Sequence, residues 1–304
     1  GLEPPHVLAT ALDHNSVLRP FAALEADGTV ESEIIPCDPV SGLVDPDDIS
    51  RAITPRTCLV AVVHGSNVSG TVQPIPVIAE RCRSRSVPLL VDAAQTLGHR
   101  PIDVAREGID LLAFPGHKGL LGPSGTGGLY IAPGVEERME TVREGGTGSR
   151  SERAVQPDDL PDRFEAGSHN AIGIAGLDAA LGWIAERTVA ALHAHERRLV
   201  ARLLDGLSSV DGVRVRRPAS IEDRCGVVSI VFDEIPALQA AERMEREHGI
   251  LVRAGLHCAP YAHRTFGTDI GGAVRLSVGP FLDESDVDAA IDGVGAIARR
   301  PVGA

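Results

Sequence analysis

Aromatic side chains are scarce in this chain: of 304 residues, only 3% are Phe, Trp or Tyr. The core must therefore be assembled from Ala, Val, Leu and Ile, and hydrophobic residues do reach 43%. A chain of this length can bury one large domain and a smaller one. Excess positive charge is also missing. The formal net charge of -13 argues against a nucleic-acid partner, which requires a basic face. No apolar run approaches the ~20 residues that span a bilayer, and no basic-then-apolar leader opens the chain. Neither a membrane nor a secretory signal is expected. Five cysteines (Cys37, Cys58, Cys82, Cys225, Cys258) show no CxxC spacing. Their odd number leaves at least one thiol unpaired within the chain, so a reduced, cytoplasmic protein is the expectation. His and Cys do not cluster at ligand spacing, and no metal site is expected. Internal repeats and low-complexity tracts are absent.

What is present is an alternation of short apolar runs with helical patterns. Val7–Leu12, Cys58–Val63, Val87–Asp92, Ile109–Phe114 and Gly128–Ala132 read as strands, with a helix over Val77–Arg85. Strands without polar alternation, separated by helices, indicate a sheet buried on both faces. Residues 133–166 read as surface helix and loop. One long helix is expected from about Ile172 to Leu207, bridging two domains. Beyond Gly212 the pattern changes to a small α+β domain: strands Val227–Phe232, Ile250–Arg253 and Val274–Val278, helices Ala237–Gly249 and Asp286–Ala298. The boundary is placed at 185/186, giving domains 1–185 and 186–304.

Asp92 closes one apolar run, and Lys118 follows the next in Phe114-Pro-Gly-His-Lys118. A carboxylate at the end of one buried strand and an amine just past its neighbour can meet at one sheet edge. Together they suit pyridoxal phosphate, the lysine joining the cofactor covalently and the carboxylate keeping the ring nitrogen protonated. Alone, Asp92 reads equally as a turn or cap residue, and Lys118 as a solvated surface amine. Gly116, Gly119 and Gly122 around Lys118 would let backbone approach a flat ligand. Gln95 is placed to reach the phenolic oxygen and His117 a phosphate. His14 is placed to stack on the ring, or is a surface loop histidine. Asn67 is placed to donate to a substrate carboxylate or ring oxygen, or is a turn residue. Arg275 offers a two-pronged contact to a carboxylate, or a surface ion pair. Cys258 lies in Val252-Arg-Ala-Gly-Leu-His-Cys-Ala-Pro260, with His257 and His263 near enough in sequence to activate a thiolate. The other four cysteines read as buried and inert. Gly122-Pro-Ser-Gly-Thr-Gly-Gly128 lacks the Lys-Ser/Thr ending of a nucleotide loop.

Seven segments in register resemble the class V aminotransferase family of fold-type I pyridoxal phosphate enzymes, most closely its cysteine desulfurase and selenocysteine lyase branch. They are Asp13-His14, Ser66-Asn67 with Gly70, Asp92-Ala-Ala-Gln95, Gly116-His-Lys118, Arg163-Phe-Glu-Ala-Gly-Ser168, Arg253-Ala-Gly-Leu-His-Cys258 and Arg275. The resemblance implies a three-layer αβα large domain with a mostly parallel sheet, plus a small C-terminal α+β domain. It implies that His14, Asp92, Gln95, His117, Lys118 and Ser168 hold the cofactor, with Ser168 reaching the phosphate of a neighbouring subunit. A homodimer with shared active sites follows. Asn67 and Arg275 would bind the substrate carboxylate. Lys118 would move the Cα proton, and Cys258 would take the sulfur of L-cysteine as a persulfide and release L-alanine. A sulfur-acceptor protein is then an expected partner.

Against the family pattern, the first matched strand lies close to Gly1, so the large domain is expected to lack an N-terminal segment that includes a Gly/Thr phosphate turn. Pro115 stands where many relatives carry a phosphate-binding serine. Both departures bear on phosphate grip. The alternatives to a desulfurase are a selenocysteine lyase, an aminotransferase or an epimerase of the same class, or an inactive truncated remnant.

Overall fold

The structure, a computed structural model, describes residues 3–216 and 224–299. Its first half alternates strand and helix: β1 (His6–Thr10), α1 (Asn15–Ala26), β2 (Glu31–Ile35), α2 (Pro46–Ala52), β3 (Thr57–Val63), α3 (Ile75–Arg83), β4 (Leu89–Asp92), α4 (Val104–Glu107), β5 (Leu111–Pro115) and β6 (Gly127–Ile131). These strands form one sheet of order β2-β1-β3-β4-β5-β6, parallel except for β6, which runs antiparallel to β5. All five residues of β1 are buried, so both faces of the sheet are covered, the expected α/β arrangement. Leu8, Ile35 and Leu89 from the strands meet Ile49 of α2 and Ile75 and Ile78 of α3, all fully buried. Each such side chain contributes about 1.5–3 kcal/mol of burial.

Residues between β6 and residue 170 form loops with one short 3-10 turn at Glu136–Arg138. The single long helix expected over 172–207 is two: α5 (Ala171–Arg187) and α6 (Val189–Ser208). Thr188 breaks them with φ 66° and ψ 136°, and its hydroxyl accepts the Ala191 N–H at 3.2 Å as the cap of α6. The apolar pattern runs through this point, which is why it read as one element. Leu192, Leu199, Leu203 and Leu207 then fall on one buried face of α6.

The second sheet is antiparallel, in the order β7-β8-β10-β9, from β7 (Val213–Val215), β8 (Val227–Phe232), β9 (Arg253–Gly255) and β10 (Ala273–Ser277). It packs with α6, α7 (Ala237–His248) and α9 (Glu284–Ala298) around Val228, Ile230, Met244, Val274 and Val294. The strand expected at Ile250–Arg253 begins only at Arg253. Ile250 and Val252 instead pack against this second core as loop residues, while Leu251 points outward.

Two features join the halves. Helix α8 (Pro260–Thr265) lies between β9 and β10 in sequence, yet Ala259, Ala262 and Phe266 pack into the first core. The turn at Gly70 (φ 76°) accepts the Cys225 N–H at 2.8 Å, and a Cβ there would meet the Val227 carbonyl at 2.5 Å. Gly70 is therefore required by the junction of the two sheets. Among the described residues, no helix is long and apolar enough to cross a membrane.

Candidate active site

Parallel strands of a doubly wound sheet leave a crevice beyond their carboxyl ends. Here β1 leads to His14, β3 to Asn67, β4 ends in Asp92 and β5 leads to Lys118. All four line one cleft of about 720 Å3 with Gln95, His117, Cys258 and Arg275. That volume suits a small cofactor together with a substrate. Eight of the nine residues singled out in the sequence thus meet at one place. Ser168 does not. It is exposed and lies outside the cleft of its own chain.

Asp92 is buried, its Oδ1 accepting the Ala94 N–H at 2.9 Å, while Oδ2 takes no hydrogen bond from the described residues. Behind it lies Asp13, fully buried, with Oδ2 taking both the N–H (2.6 Å) and the hydroxyl (2.7 Å) of Thr10. Burial, reinforced by the charge of Asp92, pushes the Asp13 carboxyl up to about 7. In the sequence Asp13 stands out only beside His14, and no local signal marks it as a carboxyl that favours its proton.

Lys118 follows β5. Its side chain opens into the cleft and keeps over a third of its surface accessible. The cleft walls still desolvate the amine enough to lower its pKa. Asp92 opposes that fall, and Arg275 adds to it. The flanking glycines serve packing rather than a ligand. A Cβ at Gly116 would strike Thr126, at Gly119 the His99 ring and Leu97 carbonyl, and at Gly122 the Leu177 side chain.

His14 caps α1. Its Nδ1 accepts the Ser16 N–H at 3.1 Å, which fixes the ring at the mouth of β1. Desolvation first, then Lys118, lower its pKa. Gln95 and His117 line the cleft with side chains that hydrogen-bond to no described residue.

Asn67 offers something other than the expected donor. Its Nδ2 is committed to the His257 carbonyl at 2.6 Å, and Oδ1 is buried with no partner. Arg275 donates from Nη1 to the Asn67 carbonyl at 3.2 Å, and its buried Nε has no partner. Orphaned buried polar atoms are costly, and both of these belong to residues that line the cleft. Arg253, quoted only within a motif, lines the same wall directly opposite Arg275 on β9–β10. Only the sheet register reveals that pairing.

Cys258 is exposed to the cleft. The two histidines expected to activate it do not. Burial holds His257 down to about 4 and His263 below its ordinary value, and the ring nitrogens of both face partners other than Cys258. Of the cysteines read as inert, Cys37, Cys82 and Cys225 are buried, but Cys58 is exposed on β3.

The geometry has close counterparts. A probable cysteine desulfurase of Methanothermobacter thermautotrophicus is 34% identical over 275 residues, covering 90% of this chain and 68% of that protein. A probable cysteine desulfurase 2 of Mycobacterium leprae is 33% identical over 294 residues, covering 95% and 68%. The apo structure of a cysteine desulfurase from Thermococcus onnurineus superposes with a TM-score of 0.88 at 29% identity, covering 98% of this chain and 74% of that one. The chain thus spans about two-thirds to three-quarters of the length of these relatives. A model of the class-V aminotransferase family matches residues 3–290, and with that match across both sheets the chain belongs to the class-V aminotransferases.

Proposed function

We propose that this chain is a pyridoxal phosphate-dependent cysteine desulfurase that converts L-cysteine to L-alanine and leaves a persulfide on Cys258. The observation that carries the reading is the convergence of Lys118, Asp92, Cys258 and Arg275 on one cleft. The relatives named as cysteine desulfurases support it. The donor set fits the cofactor. Lys118 is an amine whose pKa desolvation lowers, Asp92 keeps Oδ2 for a protonated ring nitrogen, and Gln95, His14 and His117 present uncommitted groups around them. When bound, pyridoxal phosphate supplies an electron sink for the substrate Cα–H bond.

The protein's own tasks follow. Arg275, with Arg253 opposite, holds the substrate carboxylate by charge and fork geometry, at the wall that Asn67 also lines. Lys118 Nζ takes the Cα proton and can return it. Cys258 Sγ attacks the substrate sulfur. The S–S bond forms as the C–S bond breaks, the electron pair stays with the substrate carbon, and a proton completes alanine. The sum is L-cysteine plus one protein thiol giving L-alanine plus one protein persulfide, with no external oxidant.

The same proposal takes residues 1–185 as the cofactor-binding domain and 186–304 as the small domain; two apolar cores support this division, with Ala259, Ala262 and Phe266 of the second range packing into the first core. It takes the protein to be a homodimer, with exposed Ser168 serving the neighbour's phosphate site, and cytoplasmic, consistent with five free cysteines. A sulfur-acceptor protein would collect the persulfide.

The test is spectroscopic and chemical. Purified protein with pyridoxal phosphate should gain a visible absorbance band, borohydride should fix the label to Lys118, and L-cysteine should yield equal alanine and persulfide. Cys258→Ser should keep the band and lose sulfur transfer. A protein that stays colourless with cofactor, or a Cys258→Ser variant that transfers sulfur normally, rejects the reading.

A further inference from the structure

His257 and Cys258 are consecutive non-glycine residues with φ of 49° and 57°. The Ala259 N–H closes onto the Leu256 carbonyl at 3.0 Å. The pair is thus the centre of a four-residue turn with both central φ positive, a pattern that ordinarily calls for Asn or Gly. Backbone of this kind persists only where its surroundings over-determine it. Two tethers grip the turn's carbonyls: the Asn67 side-chain Nδ2 donates to the His257 carbonyl at 2.6 Å, and the Asn15 N–H donates to the Cys258 carbonyl at 2.8 Å.

The third tether runs through side chains. His257 Nε2 lies 3.1 Å from the Arg253 carbonyl, and His257 Nδ1 lies 3.2 Å from His263 Nε2. His263 Nδ1 lies 2.8 Å from Thr268 Oγ1. A carbonyl only accepts, so His257 Nε2 carries the proton and its Nδ1 accepts. His263 Nε2 must then donate, and its Nδ1 accepts from the Thr268 hydroxyl. Each bond dictates the next, in rings that are 5% and 0% exposed. All four ring nitrogens are spent, which leaves neither ring a nitrogen for Cys258.

We propose that Thr268, His263 and His257 form a one-way positioning relay that locks the strained turn and so sets the Cys258 thiol against the cleft. It rests on the reading of Cys258 as the sulfur-accepting nucleophile. The relay runs from Thr268, in the loop after α8, to Arg253, the first residue of β9.

The test uses the cofactor-loaded protein and L-cysteine. His263→Phe keeps the ring and removes both nitrogens. Sulfur transfer to Cys258 should slow about 10- to 100-fold, with KM for L-cysteine and the visible cofactor band unchanged. His263→Gln, which can donate and accept in turn, should recover much of the rate, and Thr268→Val should lose part of it. In protein carrying 15N-histidine, both buried rings should read as neutral Nε2–H tautomers at pH 7. Wild-type transfer rates in folded His263→Phe overturn the relay, as does an Nδ1–H or charged ring at either position. If His263→Phe fails to fold, Thr268→Val at the wild-type rate overturns it instead. Should Cys258→Ser transfer sulfur normally, the nucleophile reading fails, while the tautomers still decide the relay separately.

Discussion

Arg253 and Arg275 stand directly opposite one another on the antiparallel pair β9–β10, and both line the cleft. Like charges in this position oppose folding by roughly 0.2–1 kcal/mol. Neither arginine has a carboxylate partner among the described residues. Desolvation first, then Arg253, lower the pKa of Arg275. Unbalanced charge of this kind is a stability cost that a bound anion would offset.

Two substitutions separate the cost from the use. Arg275→Ala should raise KM for L-cysteine about 10- to 100-fold, the loss of a charge-assisted hydrogen bond, without lowering the melting temperature. Arg253→Gln should raise KM by a few-fold and stabilise the fold by up to about 1 kcal/mol. Steady-state kinetics beside urea unfolding reads both. A less stable Arg253→Gln protein with unchanged KM would show that the pair serves packing.

Asp92 and Lys118 have separable signatures. Lys118→Ala should abolish borohydride-stable labelling while leaving room for non-covalent cofactor. Asp92→Asn keeps the shape of the side chain and its Ala94 contact but removes its charge from the ring nitrogen. It should retain the visible band and lose at least about 100-fold in alanine formation, in the range of a misplaced catalytic proton. Alanine formation within a few-fold of wild type would remove Asp92 from the chemistry.

The parallel strands were legible because each is a continuous apolar run, and four cleft residues because each directly follows one. Strand β2 was missed. Its sequence Glu31-Ser-Glu-Ile-Ile35 is an edge strand with only Ile35 buried, and such half-wet edges carry little apolar signal. Strand β7, three residues long and half-exposed, was invisible for the same reason. The break at Thr188 carries no proline or glycine to announce it. The glycines around Lys118 read as ligand contacts because spacing cannot tell a crowded backbone from a bound ring; only Thr126, His99 and Leu177 across the gaps decide it. Likewise, His257 and His263 look like activators of Cys258 in sequence, and the partners of their ring nitrogens make them anchors.

Three buried groups give the fold a pH signature. Burial, then Arg100, hold His64 down to about 3, and burial holds His257 down to about 4. Unfolded histidines take up protons near pH 6.5 while these two do not. Their contribution to stability is full above that pH and is lost as pH falls. Asp13 acts in the opposite sense. Its folded carboxyl keeps a proton up to about 7, while the unfolded one ionises near 3.8, so its contribution falls as pH rises through that window. Each group bends stability by up to about 1.4 kcal/mol per pH unit. Asp13→Asn mimics the protonated carboxyl and removes the opposing slope. Urea unfolding at pH 4.5, 5.5 and 6.5 should show the variant gaining on wild type as pH rises, by up to about 1.4 kcal/mol per unit. Parallel curves would mean that Asp13 is ionised in the folded protein.

Thr188 holds a β-branched side chain at φ 66°, a conformation that costs about 1–3 kcal/mol for such a residue. Its hydroxyl returns part of this by accepting the Ala191 N–H. Glycine relieves the strain, loses only a few tenths of a kcal/mol as an N-cap, and adds about 0.5–1 kcal/mol of unfolded-chain entropy. The balance favours Thr188→Gly by about 1 kcal/mol, or about 2 °C in Tm for a chain of this size. Thr188→Ala loses the cap and keeps the strain, so it should melt below wild type. Thr188 lies outside the cleft, and alanine formation should be equal in all three proteins. A glycine variant that melts lower than wild type would mean that the hydroxyl cap outweighs the strained backbone, and that the kink between α5 and α6 is held by its capping bond.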